Sequence, residues 1–565
     1  MTLSPPNSGA NTPIAGPRPV PRSGRPSDAV PYPYALLRRH YWTAIGLLVP
    51  PALILLLLVS SGNLSDTTLT FINTLLPLYS VAVLSALIYN CVRCLPETIW
   101  TAFFWAPLQS IVFLYLGPLV NVFGSEATLL AKAGHPLTAT PSELLRANLL
   151  ISIAVPLLLS GIAAALSVFA PPRVPKHVWQ DANRFVDPER LAPVALAVIV
   201  VGGLFRYGLV KPADWGIIPI VIPGILGSLS FLVDLGLALL AYIAASKRGG
   251  RWVIPLIVLW GAHLVLTLLS FAKSELVVAL VFPILGIYLA RQRLKELALG
   301  AALTAVAFSL STPLVTHARS ELFLLHGEIN SGGYGDRVNV LTAYVTGSGA
   351  SGTPDYVIDE ERTAQWWWMR LDYASPIAKA MLLYDSGYAS RTVETAWMRF
   401  IPRFLWPEKP LFEGPGKYFY SILLGRETET LVGISIYGDM YWHYGWLGLI
   451  IIAPFIGFVF GFTGRLALKW VLERDFIYFP LVLYMLIWVA AGTNKYLING
   501  FIGSLPIIAA YMLVFYLFSG VLKGEMANDQ RKRRSKLHPH GLPPNQRPDL
   551  RTDPRRRPVS GLRGR

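Results

Sequence analysis

The sequence predicts an all-α polytopic membrane protein of about twelve transmembrane helices with one large extracytoplasmic loop. Three observations carry that expectation. Of 565 residues, 53% are hydrophobic and only 15% charged, where soluble domains carry about 25% charged residues. Apolar runs of about 20 residues, the length that crosses about 30 Å of hydrocarbon, recur along the chain. Basic residues fall in alternate loops between those runs, as cytoplasmic connections do. This composition excludes an ordinary cytosolic enzyme and a disordered protein and, with two cysteines, a disulfide scaffold.

The runs lie at 42–60, 68–89, 99–122, 147–169, 191–210, 216–245, 252–271, 275–290, 298–316, 444–463, 476–492 and 499–521. The sixth is long enough to be tilted or broken at Pro223-Gly224. With the amino terminus inside, the inner loops hold Arg93; Arg173, Lys176, Arg184 and Arg190; Lys247, Arg248 and Arg251; Arg291, Arg293 and Lys295; and Arg465, Lys469 and Arg474. Of the short outer loops, 61–67 has no Lys or Arg and 123–146 has only Lys132 and Arg146. An even number of spans places the carboxyl terminus inside too.

The ends differ from the middle. Residues 1–33 contain nine prolines and few large apolar groups, too little to offset chain entropy, so a disordered cytoplasmic segment is expected over 1–40. It has no early apolar core, and no cleavable signal peptide is expected. Helices occupy 41–316 and 444–522, and 523–565 reads as a disordered basic cytoplasmic tail that touches anionic lipid or serves as a topology anchor. Residues 531–565 alone carry 12 Lys or Arg against two Asp, +10 of the formal +16. The positive charge therefore belongs to a terminus and gives no reason to expect nucleic-acid binding.

The extracytoplasmic domain is expected at 317–443, with 11 Lys or Arg and 15 Asp or Glu. Long loops translocate largely regardless of charge, so its residues answer to function. SGGYGDR (331–337) and TGSGASGTPD (346–355) read as flexible loop, followed by helix-compatible stretches at 363–383 and 390–400. The most informative stretch is Arg399-Phe-Ile-Pro-Arg403-Phe-Leu-Trp406-Pro-Glu-Lys409-Pro. Arginine binds phosphate through a planar bidentate fork and lysine as a point charge, and prolines stiffen the backbone between them. A rigid basic loop at the outer surface would seat a lipid-linked pyrophosphate. A structural loop whose cations pair with Glu394, Glu408 and Glu413 fits the same composition.

The pattern I-P-R-x-L-W-P-x-K-P, followed by Y-G-D-M-Y-W-H-Y-G-W-L-G (437–448) entering a membrane helix, resembles the oligosaccharide repeat-unit polymerases, the Wzy-type O-antigen polymerases. The FAKSE turn at 271–275 is similar to that family's basic turn between two helices, with Lys273 where the family has Arg. The resemblance implies a GT-C-like membrane glycosyltransferase that transfers a glycan from undecaprenyl pyrophosphate to another lipid-linked repeat unit and so polymerises a surface polysaccharide. It implies no cofactor, a setting in the plasma (inner) membrane among membrane lipids, and a chain-length regulator as a partner. Negative charge built on the leaving phosphate is stabilised by preorganised cations, so no metal is required.

On that reading Arg399, Arg403 and Lys409 bind the pyrophosphate, with Arg370, Arg319 and Lys273 as further cations and Trp406 and Tyr441 as sugar contacts. Trp366, Trp367 and Trp368 beside Arg370 either pack on sugar faces or lie at the membrane interface. The acceptor hydroxyl needs a general base; Asp439 is the first choice, with Asp372 and His443 as alternatives, and each acid equally suits a salt bridge or helix cap. Asp234 and His263 fall inside spans, where ionisable groups are costly, which keeps a flippase or other transporter open beside an O-antigen-type ligase. Cys91-Val-Arg-Cys94 lacks the second ligand pair of a zinc site, and no phosphate-binding loop, dinucleotide fingerprint or internal repeat is present.

Overall fold

The computed structural model describes residues 29–31, 34–61, 64–168, 173–175, 188–220, 222, 224–246, 249–327, 331–347, 366–401, 405–406, 408–409, 414–428, 430–473, 478–492 and 495–513. Among these, ten helices are long and apolar enough to cross a membrane, and two shorter apolar helices complete the set. The protein is therefore a multi-pass helical membrane protein. Helix is the form that lets an apolar chain satisfy its own backbone hydrogen bonds away from water.

In chain order, a strand β1 (Ala29–Pro31) precedes α1 (Tyr34–Ser61), α2 (Asp66–Cys94), α3 (Ala102–Phe123), the short α4 (Glu126–Ala133) and α5 (Pro141–Val168). A second strand, β2 (Arg173–Pro175), leads to α6 (Leu191–Asp214), α7 (Leu226–Ala245), α8 (Gly250–Leu268), α9 (Lys273–Arg291) and α10 (Leu294–His326). The polar segment that follows contains α11 (Tyr334–Thr346), α12 (Ala374–Asp385) and α13 (Pro415–Leu424). The apolar helices resume with α14 (Ser435–Leu472), α15 (Phe479–Gly492) and α16 (Leu497–Leu513). Contacts divide the chain into two units, residues 1–509 and 510–565. Everything below concerns the first; of the second, only residues 510–513 are described.

Several boundaries differ from expectation. The chain expected to be disordered through residue 40 is helical from Tyr34, because Tyr34, Leu37 and Tyr41 are buried. β1 pairs antiparallel with β2, Val30 opposite Val174, which places both on one side of the membrane. α10 runs to His326 and α14 begins at Ser435, so the loop expected over 317–443 shrinks to 327–434, and Arg319, Asp439, Tyr441 and His443 lie on helices. SGGYGDR opens α11, with Asp336 Oδ2 accepting the Gly333 N–H at 2.8 Å. The sixth run is broken as its Pro-Gly suggested: α6 ends at Asp214 and helix resumes at Gly224. Residues 1–28, 348–365 and 514–565, including most of TGSGASGTPD and the basic tail, lie outside the described residues.

The tightest packing is α5 against α14. A Cβ on Gly161 would strike the Pro454 carbonyl oxygen, and one on Gly457 the Leu158 carbonyl oxygen. Small residues let backbones meet where lipid provides no hydrophobic drive between helices. At one end of this pair Arg465 donates to the Ala165 carbonyl at 3.0 Å and lies over the Tyr34 ring at 4.9 Å, joining α1 to both. Large apolar side chains such as Leu57, Phe71, Ile254 and Ile257 face outward, as lipid-facing positions do.

A second tie is ionic. Arg206, in a π-helical turn of α6, donates to Asp234 of α7 at 2.8 Å and to Glu275 of α9 at 3.0 Å. Glu275 also pairs with Lys211, and Asp234 Oδ1 meets His263 Nε2 of α8 at 3.0 Å. His263 Nδ1 in turn lies 2.8 Å from the Tyr207 hydroxyl. Arg206 and Lys211 thus face Asp234 and Glu275, and Asp234 and His263 have their partners within the bundle. Removing one partner of a buried pair costs about 3–5 kcal/mol. Asp234→Ala should lower stability by about that amount in detergent unfolding; unfolding matching the parent would show that these four helices are held by packing alone.

Candidate functional site

The site grows from an irregular turn in α3. Residues Ser110–Leu116 wind as a π-helix, which leaves carbonyls free of their usual helical partners. Two serve the segment Trp366–Tyr373: Leu116 O accepts the Trp368 indole N–H at 2.9 Å, and Phe113 O accepts the Tyr373 N–H at 3.3 Å. Between them the chain passes so close to Gly117 that any Cβ there would collide with the Leu371 carbonyl. This seat fixes Arg370, the residue before.

Asp372 locks the seat from the other side. It is buried and accepts from Lys132 Nζ at 2.6 Å, Ser375 Oγ at 2.6 Å, the Ser375 N–H at 3.2 Å and Asn121 Nδ2 at 3.0 Å. Burial alone would raise its carboxyl, but the Lys132 ammonium and these hydrogen bonds outweigh it and hold Asp372 below the ordinary carboxylate range. With four donors on it, three of them on Oδ2, Asp372 holds the start of α12 and anchors α4, a structural role at a residue considered as a base from the sequence. Near it, burial and the charges of Arg370 and Lys132 push the His135 imidazole down, so His135 is neutral at pH 7.

Four cations converge on one cavity of about 1860 Å3: Lys273, Arg319, Arg370 and Lys495 all line it. Lys273 begins α9 after a tight turn in which Phe271 takes the left-handed region (φ 46°), and the Phe271 carbonyl accepts from Arg319 Nε at 3.1 Å. Glu275 points into the ionic network while Lys273 turns the other way, over the Phe308 ring at 5.7 Å. Among the described residues no Asp or Glu lines the cavity. Arg319, Arg370 and Lys495 form no ion pair among the described residues.

Beyond the cations the wall is apolar. Val277, Val281 and Leu285 of α9, Leu297, Ala301 and Phe308 of α10, and residues of α2, α3 and α15 line it. Along α10 the lining extends from Leu294 to Leu324, about 45 Å at 1.5 Å per residue, more than the hydrocarbon thickness. Wall residues Val306, Leu310 and Phe323 are exposed, so the cavity opens to the side. An elongated apolar groove whose wall also carries four cations fits an amphiphile with an anionic group.

The other residues singled out from the sequence are arranged differently. Asp439 and His443 are buried in the first turns of α14 and do not line the cavity. Asp439 Oδ2 accepts the Leu497 N–H at 2.7 Å and Oδ1 lies 3.2 Å from His443 Nδ1. His443 Nε2 accepts the Val393 N–H at 3.3 Å and lies 3.0 Å from Thr392 Oγ1, so Nδ1 carries the proton that reaches the Asp439 carbonyl at 2.8 Å. Asp439 and His443 thus form a buried cluster apart from the cavity. The Tyr441 hydroxyl donates to Asp385 at 3.1 Å, and Asp385 pairs with Arg146 at 2.6 Å, so Tyr441 is structural where a sugar contact was expected. Trp406 stacks on Trp397 at 6.2 Å, and Lys409 Nζ donates to the Ile401 carbonyl at 3.0 Å. Arg403 and the Arg399 side chain lie outside the described residues.

Two groups went unremarked in the sequence. Lys495 lies between α15 and α16, a lone cation in a short connection expected to face outward, where basic residues are scarce. Arg206 is a charge within an apolar run, which carries the same signal as Asp234. Comparison with family models, characterised proteins and solved structures finds no match to this chain.

The Lys132–Asp372 lock gives a signed expectation. A carboxyl depressed in the native state stabilises above its ordinary range and loses that contribution as pH falls through the lower native value. Proteolysis of the 366–390 segment should therefore accelerate as pH drops below the ordinary carboxylate range, and in Asp372→Ala it should already be fast at pH 7. Equal cleavage of the two proteins at pH 7 would show that the lock does not hold the segment.

Proposed function

We propose that this protein is a GT-C-like membrane glycosyltransferase that polymerises undecaprenyl-pyrophosphate-linked oligosaccharide repeat units into a surface polysaccharide, with twelve crossings and both termini in the cytoplasm. The supporting observation is a long apolar groove lined by four cations and, among the described residues, by no carboxylate. A polyprenyl chain needs apolar length and entry from the membrane, and its diphosphate needs positive charge. Lys273, Arg319 and Arg370, expected from the sequence to contact pyrophosphate, share that cavity with Lys495. Stacked Trp367 and Trp368 lie beside Arg370.

In this mechanism the cations hold the diphosphate and stabilise the charge it gains as the anomeric C–O bond breaks. The acceptor hydroxyl attacks the anomeric carbon, its proton passes to a base, and undecaprenyl pyrophosphate departs. Leaving-group stabilisation is the part of the chemistry that the described residues support. Asp234 and His263, the intramembrane groups that kept a transporter open, are paired with one another and with Arg206.

Arg370→Ala should lower polymerisation by about 10²–10³-fold, the loss typical for one preorganised charge-stabilising donor, with single lipid-linked repeats accumulating on the outer face. Accumulation on the inner face would make the protein a flippase, and long chains stranded on carrier lipid would make it a ligase. Unchanged polymer yield would remove Arg370 from the site.

A further inference from the structure

We infer that Lys495 is a fourth cation contacting the carrier's diphosphate and that Asp439 is the buried residue that positions it, an inference that rests on the carrier-lipid reading above. Lys495 lines the same cavity as Lys273, Arg319 and Arg370, from the opposite end of the sequence. It follows α15 directly, its N–H donating to the Gly492 carbonyl at 3.2 Å. Its side chain is exposed toward the cavity, and nearby protein still holds its ammonium below the ordinary lysine value, with no charged partner among the described residues. An anion in the cavity would supply the missing partner.

The placement depends on the next turn. Leu497 opens a π-helical turn at Leu497–Phe501, and its N–H is taken by Asp439 Oδ2 at 2.7 Å. Asp439 is wholly buried. The Tyr496 hydroxyl donates to the Val432 carbonyl at 2.7 Å, and Gly500 approaches Gly492 too closely for a Cβ. These contacts pin the residues immediately after Lys495, and only one of them is ionic. Asp439 needs no contact with substrate for this role: it sets where the connection leaves α15, and hence where the ammonium points.

The test is equilibrium binding to the full-length protein in lipid nanodiscs, with undecaprenyl diphosphate, undecaprenol and inorganic pyrophosphate as separate probes. Lys495→Ala should weaken undecaprenyl diphosphate binding by about ten- to hundredfold, the worth of a charge-assisted contact, leave undecaprenol binding unchanged, and be largely rescued by Lys495→Arg. Asp439→Ala should produce the same selective loss, with no further loss in the double variant. Asp439→Asn, which keeps an acceptor oxygen for Leu497, should bind like the parent.

Normal diphosphate binding by Lys495→Ala beside a loss in Arg370→Ala would overturn this inference and leave the carrier-lipid reading standing. Parent-like binding by Asp439→Asn with abolished polymerisation would make Asp439 the base and overturn its positioning role. A parent that binds undecaprenyl diphosphate no better than undecaprenol, or inorganic pyrophosphate as tightly as the lipid, would instead overturn the carrier-lipid reading itself.

Discussion

Charge in or near hydrocarbon must be balanced, and this requirement sorts the polar residues of the molecule into two groups. Around Asp234 the balance is internal: Arg206, Lys211, Glu275 and His263 close a network that joins four helices. Around the cavity, Arg319, Arg370 and Lys495 form no ion pair among the described residues, none of which adds a carboxylate to its wall. The two regions meet at one turn of α9, where Glu275 faces the closed network and Lys273 the cavity. A buried pair contributes chiefly by making its own disruption costly, so the network acts as a rigid footing for the turn that presents Lys273.

The same division separates acids that hold the fold from cations left for a ligand. Asp372 is consumed by Lys132, Asn121 and Ser375; Asp439 by Leu497 and His443; Asp385 by Arg146 and Tyr441. Each sits where a cationic segment would otherwise swing free. Two of these acids, Asp372 and Asp439, were read as bases from the sequence; in the fold each fixes a segment next to a cavity-lining cation, Arg370 and Lys495.

Hydropathy placed the apolar helices well because membrane helices are specified by length and composition, properties of a contiguous stretch. It misplaced their outer ends, since α10 continues through Arg319 and α14 starts at Ser435, where side chains are polar but the backbone gains more by staying helical against packed neighbours. The break before Gly224 and the FAKSE turn were legible from Pro, Gly and charge. The gathering of Lys273, Arg319, Arg370 and Lys495 was only partly so. These residues are far apart in sequence, and what unites them is the path of Trp366–Tyr373, which packs Trp366–Met369 on α10 and is set by a collision at Gly117 and two carbonyls of the α3 π-turn. A π-turn leaves no periodic trace strong enough to read from residue types.

The sideways opening of the groove, with Val306, Leu310 and Phe323 bare along it, has a kinetic corollary. A ligand arriving this way diffuses in two dimensions, so occupancy follows its mole fraction in the leaflet rather than its concentration in the aqueous phase. Bilayer viscosity, acyl-chain order and crowding by other lipids would then set the encounter rate, and the surrounding membrane becomes a control on throughput that no change in the protein itself can replace.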